Sequence, residues 1–177
     1  MHKIVNIVVV LALVTALVVA LLPQPAYATG ENWEAGYIYR KQITFTADTA
    51  KIPSTQTNFP VVISLTDSDL KIVANGGHVQ NTNGYDIKFT ASDGSTDLDY
   101  EIEKYNGANG EYVAHIRVPS LATSGIIYMY YDNSSITANP STTSTWDSNF
   151  KMIQHLQETS GTHYDSTVNA NNGTPQG

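Results

Sequence analysis

No cysteine occurs anywhere in the 177-residue chain, so neither a disulfide framework nor a thiolate zinc site can hold it together. The histidines show no zinc spacing either. No glycine-rich loop follows a strand and opens a helix, as phosphate binding requires, and no Ser or Thr stands in a nucleophile motif. Internal repeats are absent. Basic side chains are few, nine Lys and Arg against sixteen Asp and Glu, for a formal net charge of −7. That balance excludes nucleic acid as an expected partner and disfavours anionic lipid surfaces, since both attract basic patches. A membrane is expected to matter only through the N-terminal segment, and only if that segment stays attached.

Residues 1–28 read as a targeting segment. Lys3 precedes an apolar run from Ile4 to Leu22; Pro23 and Pro25 then lead to Ala26-Tyr27-Ala28, which places small residues at the two positions a signal peptidase reads. Cleavage after Ala28 is expected, although the run is long enough, at about 20 residues, to span a bilayer as an anchor. Either outcome implies export, to the cell surface or the medium. Loss of the segment removes one basic and no acidic residue, so the remaining chain is more acidic still. About 150 residues can bury one sizeable core.

After the leader, period-two patterning dominates. Tyr37, Tyr39, Ile43 and Phe45 share one face of a first strand, with Lys41 breaking the row as an edge position or a strand end where a long stem can snorkel. Residues 47–58 are polar and connect. Phe59, Val61, Ile63 and Leu65 alternate in a second strand, whose Pro60 lacks a donor and belongs at a strand start or edge. Thr66, able to cap, with Asp69 three residues on, predicts a short helix around 67–74 that stops at Asn75-Gly76-Gly77. Residues 78–84 are expected to form an exposed polar loop.

Residues 85–118 read as a three-stranded meander. Pairing Phe89 with Leu98, Ile87 with Tyr100 and Tyr85 with Ile102 puts Lys88 opposite Asp99 and Asp86 opposite Glu101. Across a turn at Asn106 to Gly110, Tyr100 pairs with Ile116 and Ile102 with Ala114. Asp99 then faces Arg117, Glu101 faces His115, and Glu103 faces Val113. On this reading the outer face is a wet ladder of alternating charge. The unbroken run Ile126 to Tyr131 predicts a strand buried on both faces or packed centrally. The sum is an all-β protein, an antiparallel β-sandwich of jelly-roll type with one short helix. Residues 29–132 form its domain, and 133–149, rich in Ser, Thr and Asn, form a linker or crossover with Trp146 packing back on a neighbour.

Two resemblances can be stated on these residues. Tyr39-Arg40-Lys41 with Ile43, Asn58-Phe59-Pro60-Val61, Ile63-Ser64-Leu65, Asp86 to Thr90, Ser92-Asp93-Gly94, Tyr100 to Glu103, Val118 to Leu121 and Tyr128 to Tyr131 appear in order. Over about residues 33–132 the chain thereby resembles the family called domain of unknown function 2341. The resemblance implies a β-rich extracellular module and supplies no catalytic residues. Residues 150–177, with His155-Leu156, Glu158, Gly161, Asp165-Ser166, Asn169 and Asn171 to Thr174, look like the incomplete start of a laminin-G-like, concanavalin A-like lectin module.

Several residues invite chemistry and also admit plainer readings. Glu101 and Glu103 share a strand face about 7 Å apart, a spacing that overlaps an inverting glycosidase pair, and His115 with Glu101 could form an acid–base pair. Solubilising charges and a cross-strand ion pair explain them more simply, so no enzyme activity is expected. Asp93 and Asp97, and likewise Asp165 with Asn169, offer the clustered oxygens that calcium favours, yet Asp-Gly and Asn-Asn-Gly also serve as turns. Calcium is thus the one cofactor considered, and none is required. Asn133-Ser134-Ser135 and Asn172-Gly173-Thr174 match the glycosylation pattern. Most tyrosines fall on inward phases; Trp33, Tyr37 and Tyr105 are the freer aromatics and the candidate ligand-binding residues, because rings stack on apolar sugar faces. The expected function is a non-catalytic surface module that binds carbohydrate or another surface polymer, with surface polysaccharide or other surface proteins as partners. A structural spacer in an adhesin-like assembly is the alternative, and an accessory part of a polysaccharide-degrading enzyme has the least support.

Overall fold

The computed structural model describes residues 33–46, 54–121 and 124–175. The expected leader at 1–28 lies outside the described residues. Among the described residues six strands follow in order: β1 (Tyr39–Thr46), β2 (Gln56–Thr66), β3 (Lys88–Thr90), β4 (Tyr100–Asn106), β5 (Glu111–Leu121) and β6 (Ser124–Tyr131). They make two antiparallel three-stranded sheets, ordered β1-β6-β3 and β2-β5-β4. The all-β reading therefore holds. Among the described residues no helix is long and apolar enough to cross a membrane.

The apolar run at 126–131 forms the central strand of its sheet, with Ile127, Met129, Tyr130 and Tyr131 buried. Both sheets feed one core. Phe89, Ile127 and Met129 come from one, and Tyr100, Tyr112 and Ile116 from the other. The aromatic rings meet directly: Phe89 packs edge-on against Tyr100 with centroids 5.1 Å apart, and lies 6.1 Å from Tyr112.

The meander is corrected in its first half. At its tip the expected register holds, with Thr90 bridging Asp97 and Leu98 N–H donating to Phe89 O at 3.1 Å. Beyond that the chain parts, and β3 pairs with β6 while β4 joins β5 in the other sheet. Ile87 and Tyr100 still meet, but through the Tyr100 hydroxyl donating to Ile87 O at 2.6 Å. Pairing with β6 satisfies the β3 backbone, whose groups would otherwise be orphaned in the interior. Asp86 is fully buried and not on an outer face. Its carboxylate accepts from the N–H groups of Gln80, Asn81 and Asn133. The loop at 78–84 is exposed only in part: its backbone wraps that carboxylate, with Val79 and Gly84 buried, while Gln80, Thr82 and Asn83 stand exposed as expected.

The second half follows the expected register, with Tyr100 opposite Ile116, Glu101 opposite His115 and Ile102 opposite Ala114. A bulge then follows, so Lys104 and not Glu103 faces Val113. Gly110 closes the turn at φ 77°, and a Cβ there would come within 1.9 Å of Asp67 O. Only glycine fits.

The helix expected around 67–74 is replaced by two 3-10 turns, Ser68–Leu70 and Val73–Asn75. Asp67, not Thr66, caps the first by accepting from Asp69 N–H at 2.9 Å. Lys71 and Ile72 between the turns are extended, and their backbone is spent elsewhere: Ile72 N–H donates to Gly107 O, and Lys71 O accepts from Val79 N–H. A continuous helix would break those bonds.

Lys41 lies on the edge strand β1, as its interruption of the apolar row predicts, and it is paired. It contacts Asp67 and lies 2.9 Å from Asp69. Desolvation opposes both charges, but the mutual hydrogen bond prevails, raising the Lys41 ammonium and holding the Asp67 carboxyl below its ordinary value. A depressed carboxyl stabilises the fold above its unfolded pKa of about 3.9 and loses that contribution as pH falls; a raised ammonium does so below about 10.4 and loses it as pH rises. Lys41→Met is therefore expected to cost about 0.5–1 kcal/mol at pH 7, with the difference from the parent vanishing as pH drops below 3. Urea unfolding across pH reads this out, and a difference that persists in acid would assign the effect to stem packing instead.

Tyr112 is fully buried, which pushes its phenol well above the ordinary value, and its hydroxyl has no hydrogen-bond partner among the described residues. An unmade buried hydrogen bond costs about 1–3 kcal/mol. Tyr112→Phe is expected to raise thermal stability, an unusual sign for a core substitution, and a calorimetric Tm below that of the parent would contradict it.

Candidate functional site

Two places gather chemistry-bearing side chains. The first is an open cleft of about 380 Å³, lined by Tyr37, Tyr85, Lys88, Asp97, Asp99 and Tyr100 among others. Lys88 on β3 donates to Glu34 at 2.8 Å and lies 2.7 Å from Asp97. Desolvation disfavours its charge, but these two carboxylates more than compensate and raise it. Burial pushes the Tyr37 phenol up to about 12, against the pull of Lys88. The cleft therefore presents neutral phenols beside charged groups already tied to one another. The expected facing of Lys88 and Asp99 is not observed; Glu34 and Asp97 take the lysine instead.

Of the aromatic candidates, Trp33 and Tyr37 come together and Tyr105 belongs to another contact set. Trp33 Nε1 donates to Tyr37 O at 2.9 Å, and its ring meets Tyr130 edge-on. The Arg40 guanidinium is held between Trp33 and Tyr128, 4.5 and 4.2 Å from their ring centroids. Tyr37 is buried but lines the cleft. Tyr105 packs on Tyr112 and donates to Leu70 O at 2.8 Å. Tyr85, passed over because its alternation assigns it to the core, is half-buried in the cleft wall.

The calcium candidates are occupied by the chain itself. Asp93 accepts from Ser95 and Thr96, with the Thr96 hydroxyl first among the causes that hold its carboxyl low. Asp97 pairs with Lys88. Asp165 accepts from the N–H groups of Ile153, Thr167 and Asn171; these overcome desolvation and hold its carboxyl at about 2. Asn169 donates to Phe150 O. Each does the work of a turn or staple. Asn133, in the first glycosylation pattern, is buried and accepts from Ser135.

The second place is the outer face of β4 and β5, which the sequence reading leaves wet and which is in fact roofed. Residues 141–142 line β4: Ile102 N–H donates to Ser141 Oγ at 2.9 Å, and Thr142 N–H to Tyr100 O at 3.1 Å. Arg117 beside Asp99 donates to Ser144 O. Trp146 is buried against His115, with ring centroids 5.0 Å apart, and its Nε1 donates to Glu101 Oε2 at 2.6 Å. The Ser166 hydroxyl donates to the other Glu101 oxygen. Gln157 Nε2 donates to Glu103 O, in the bulge, at 2.7 Å.

Under this roof two histidines and two glutamates converge. His115 Nε2 and Glu103 Oε2 are 2.7 Å apart. His155, from the tail, lies between the glutamates, with Nδ1 3.7 Å from Glu103 and Nε2 3.3 Å from Glu101. That last contact is close enough for charge attraction but lacks hydrogen-bond geometry, so His155 Nε2 is buried without a hydrogen-bond partner among the described residues. The side chains of Glu101, His115 and His155 are each under 20% exposed. The sequence placed Glu101, Glu103 and His115 on one face; only the return of the tail after β5 and β6 brings His155 and Ser166 to them.

No curated protein and no solved structure matches the chain. One family model does, over residues 83–171. The match leaves out β1 and β2, takes in the roofing tail, and so differs from the resemblance drawn over 33–132; no laminin-G-like or concanavalin-like module is found in the tail. With half of its length matched, including both glutamates, both histidines, Trp146 and Ser166, the chain belongs to the family described as Domain of unknown function (DUF2341).

Proposed function

We propose that the protein is an exported, surface-displayed or extracellular β-sandwich module of jelly-roll type that binds carbohydrate or another surface polymer and catalyses no reaction. The reading of export rests on the leader pattern at 1–28 and on the acidic balance. The observation that carries the binding reading is the cleft of about 380 Å³, where phenol rings stand beside carboxylates and an ammonium. Sugars ask for that combination, an apolar ring face for C–H groups and fixed polar atoms for hydroxyls. The non-catalytic reading is supported by the condition of Glu101 and Glu103. Glu101 is engaged by Trp146 and Ser166, and Glu103 by His115, so both carboxylates are already committed to contacts within the chain.

One observation favours a spacer or assembly module instead. Met152, Leu156, Tyr164 and Val168 on the tail are all more than half exposed. Retention of the protein on a glycan array is expected, with Tyr85→Ala weakening it about tenfold, as the loss of one ring contact does, and Tyr105→Ala leaving it unchanged. No retention together with concentration-dependent self-association on size-exclusion chromatography would favour the assembly reading.

A further inference from the structure

We infer that Glu103, His115 and His155 form a binding site for a divalent transition metal of the zinc class, which clamps the tail onto the β4–β5 sheet. The site does not rest on the cleft or on any sugar-binding role.

Three observations carry it. First, one ligand atom from each of the three residues lies within 4.8 Å of the other two. An ion held about 2.0–2.2 Å from each would need them about 3–4 Å apart, a closure that side-chain rotation supplies. Two imidazoles and one carboxylate are a donor set that suits zinc, copper or nickel; calcium prefers oxygens alone. Secondly, the group behind the site is the kind that metal-bound histidines require. With Nδ1 toward Glu103 and the prospective ion, His155 points Nε2 at Glu101. Glu101 is itself fixed on both oxygens by Trp146 and Ser166. A ligating histidine commonly gives its second N–H to such a carboxylate, which sets the tautomer and ring orientation. Thirdly, His155 Nε2 is buried without a hydrogen-bond partner among the described residues. A small rotation of the ring, of the kind that draws Nδ1 toward an ion shared with Glu103 and His115, can bring Nε2–H into line with Glu101.

The backbone favours the same placement. The β4 bulge lifts Glu103 out of regular pairing, and Leu156, next to His155, takes a positive φ of 54° that a leucine rarely adopts. The three ligands come from β4, β5 and the tail, so an ion would cross-link segments 52 residues apart in a chain without cysteine. Three protein ligands leave a fourth position for water or an outside group.

The test uses the tag-free full chain, stripped of metal, with zinc chloride as the probe in isothermal titration calorimetry and thermal unfolding. Saturable one-to-one uptake is expected, with a rise in Tm and quenching or a shift of Trp146 fluorescence. His155→Ala and Glu103→Gln should each weaken uptake by more than a hundredfold while keeping the metal-free Tm within a few degrees of the parent. Glu101→Gln should weaken it by about 10–100-fold. His163→Ala, which alters a histidine paired with Glu158 away from the site, should leave it unchanged. Absence of zinc uptake would overturn the site, as would uptake that survives His155→Ala and Glu103→Gln or that calcium reproduces at the same affinity. Glycan retention unaffected by zinc would leave this site and the cleft independent.

Discussion

The contact on which the fold depends is Tyr100 against the β3 segment. Its hydroxyl donates to Ile87 O and its ring packs edge-on against Phe89, so β4, in one sheet, is held to the residues leading into β3, in the other. Burial raises the Tyr100 phenol well above its ordinary value, which keeps the hydroxyl a donor at any physiological pH. Within a dozen residues the chain leaves one sheet, turns at Asp93-Gly94 and starts the other. The two sheets share a core because this crossing is short and its inner side is aromatic.

With the core fixed, the outer face of β4–β5 is the surface that the remaining chain can cover. Bare carboxylates on an open sheet need no roof; here Glu101 and Glu103 have one, and it is built from polar donors. Trp146, Ser166 and Gln157 bring hydrogen bonds, and His155 brings a ring between the two glutamates. Burying charge costs free energy unless partners are supplied, so the tail and the glutamates are mutually dependent. The charged ladder expected to solubilise that face is instead the means by which a segment with no regular strand is attached to it.

Much of the fold was legible. Period-two patterning located the first five strands described, the unbroken apolar run at 126–131 marked a central strand, and Lys41 marked an edge or a strand end. The β4–β5 register was readable because it has a single solution in which apolar and charged rows both match. The same reasoning failed beyond the tip of β3, since Ile87 opposite Tyr100 and Tyr85 opposite Ile102 satisfy the pattern as well as the observed arrangement does. Local alternation does not say which sheet a strand joins. The helix around 67–74 failed for a related reason: capping signals were present, but backbone bonds to Val79 and Gly107 took the groups a helix would have used. At the site, Glu101, Glu103 and His115 were visible on one face, whereas His155 carried no spacing signal because its partners lie some forty to fifty residues away.

The sequence by itself determined that this chain is all-β, that it must be stable without disulfides, and that a pair of glutamates stands beside a histidine on β4 and β5. Those are consequences of side-chain period and composition, which are local. Only the tertiary structure decided that β3 and β4 belong to different sheets, that Asp86 is a buried hub of backbone donors, and that the tail returns to close over Glu101 and Glu103. Each of those depends on which distant segment offers a buried backbone or carboxylate its missing partner, and that competition is settled when the chain is packed.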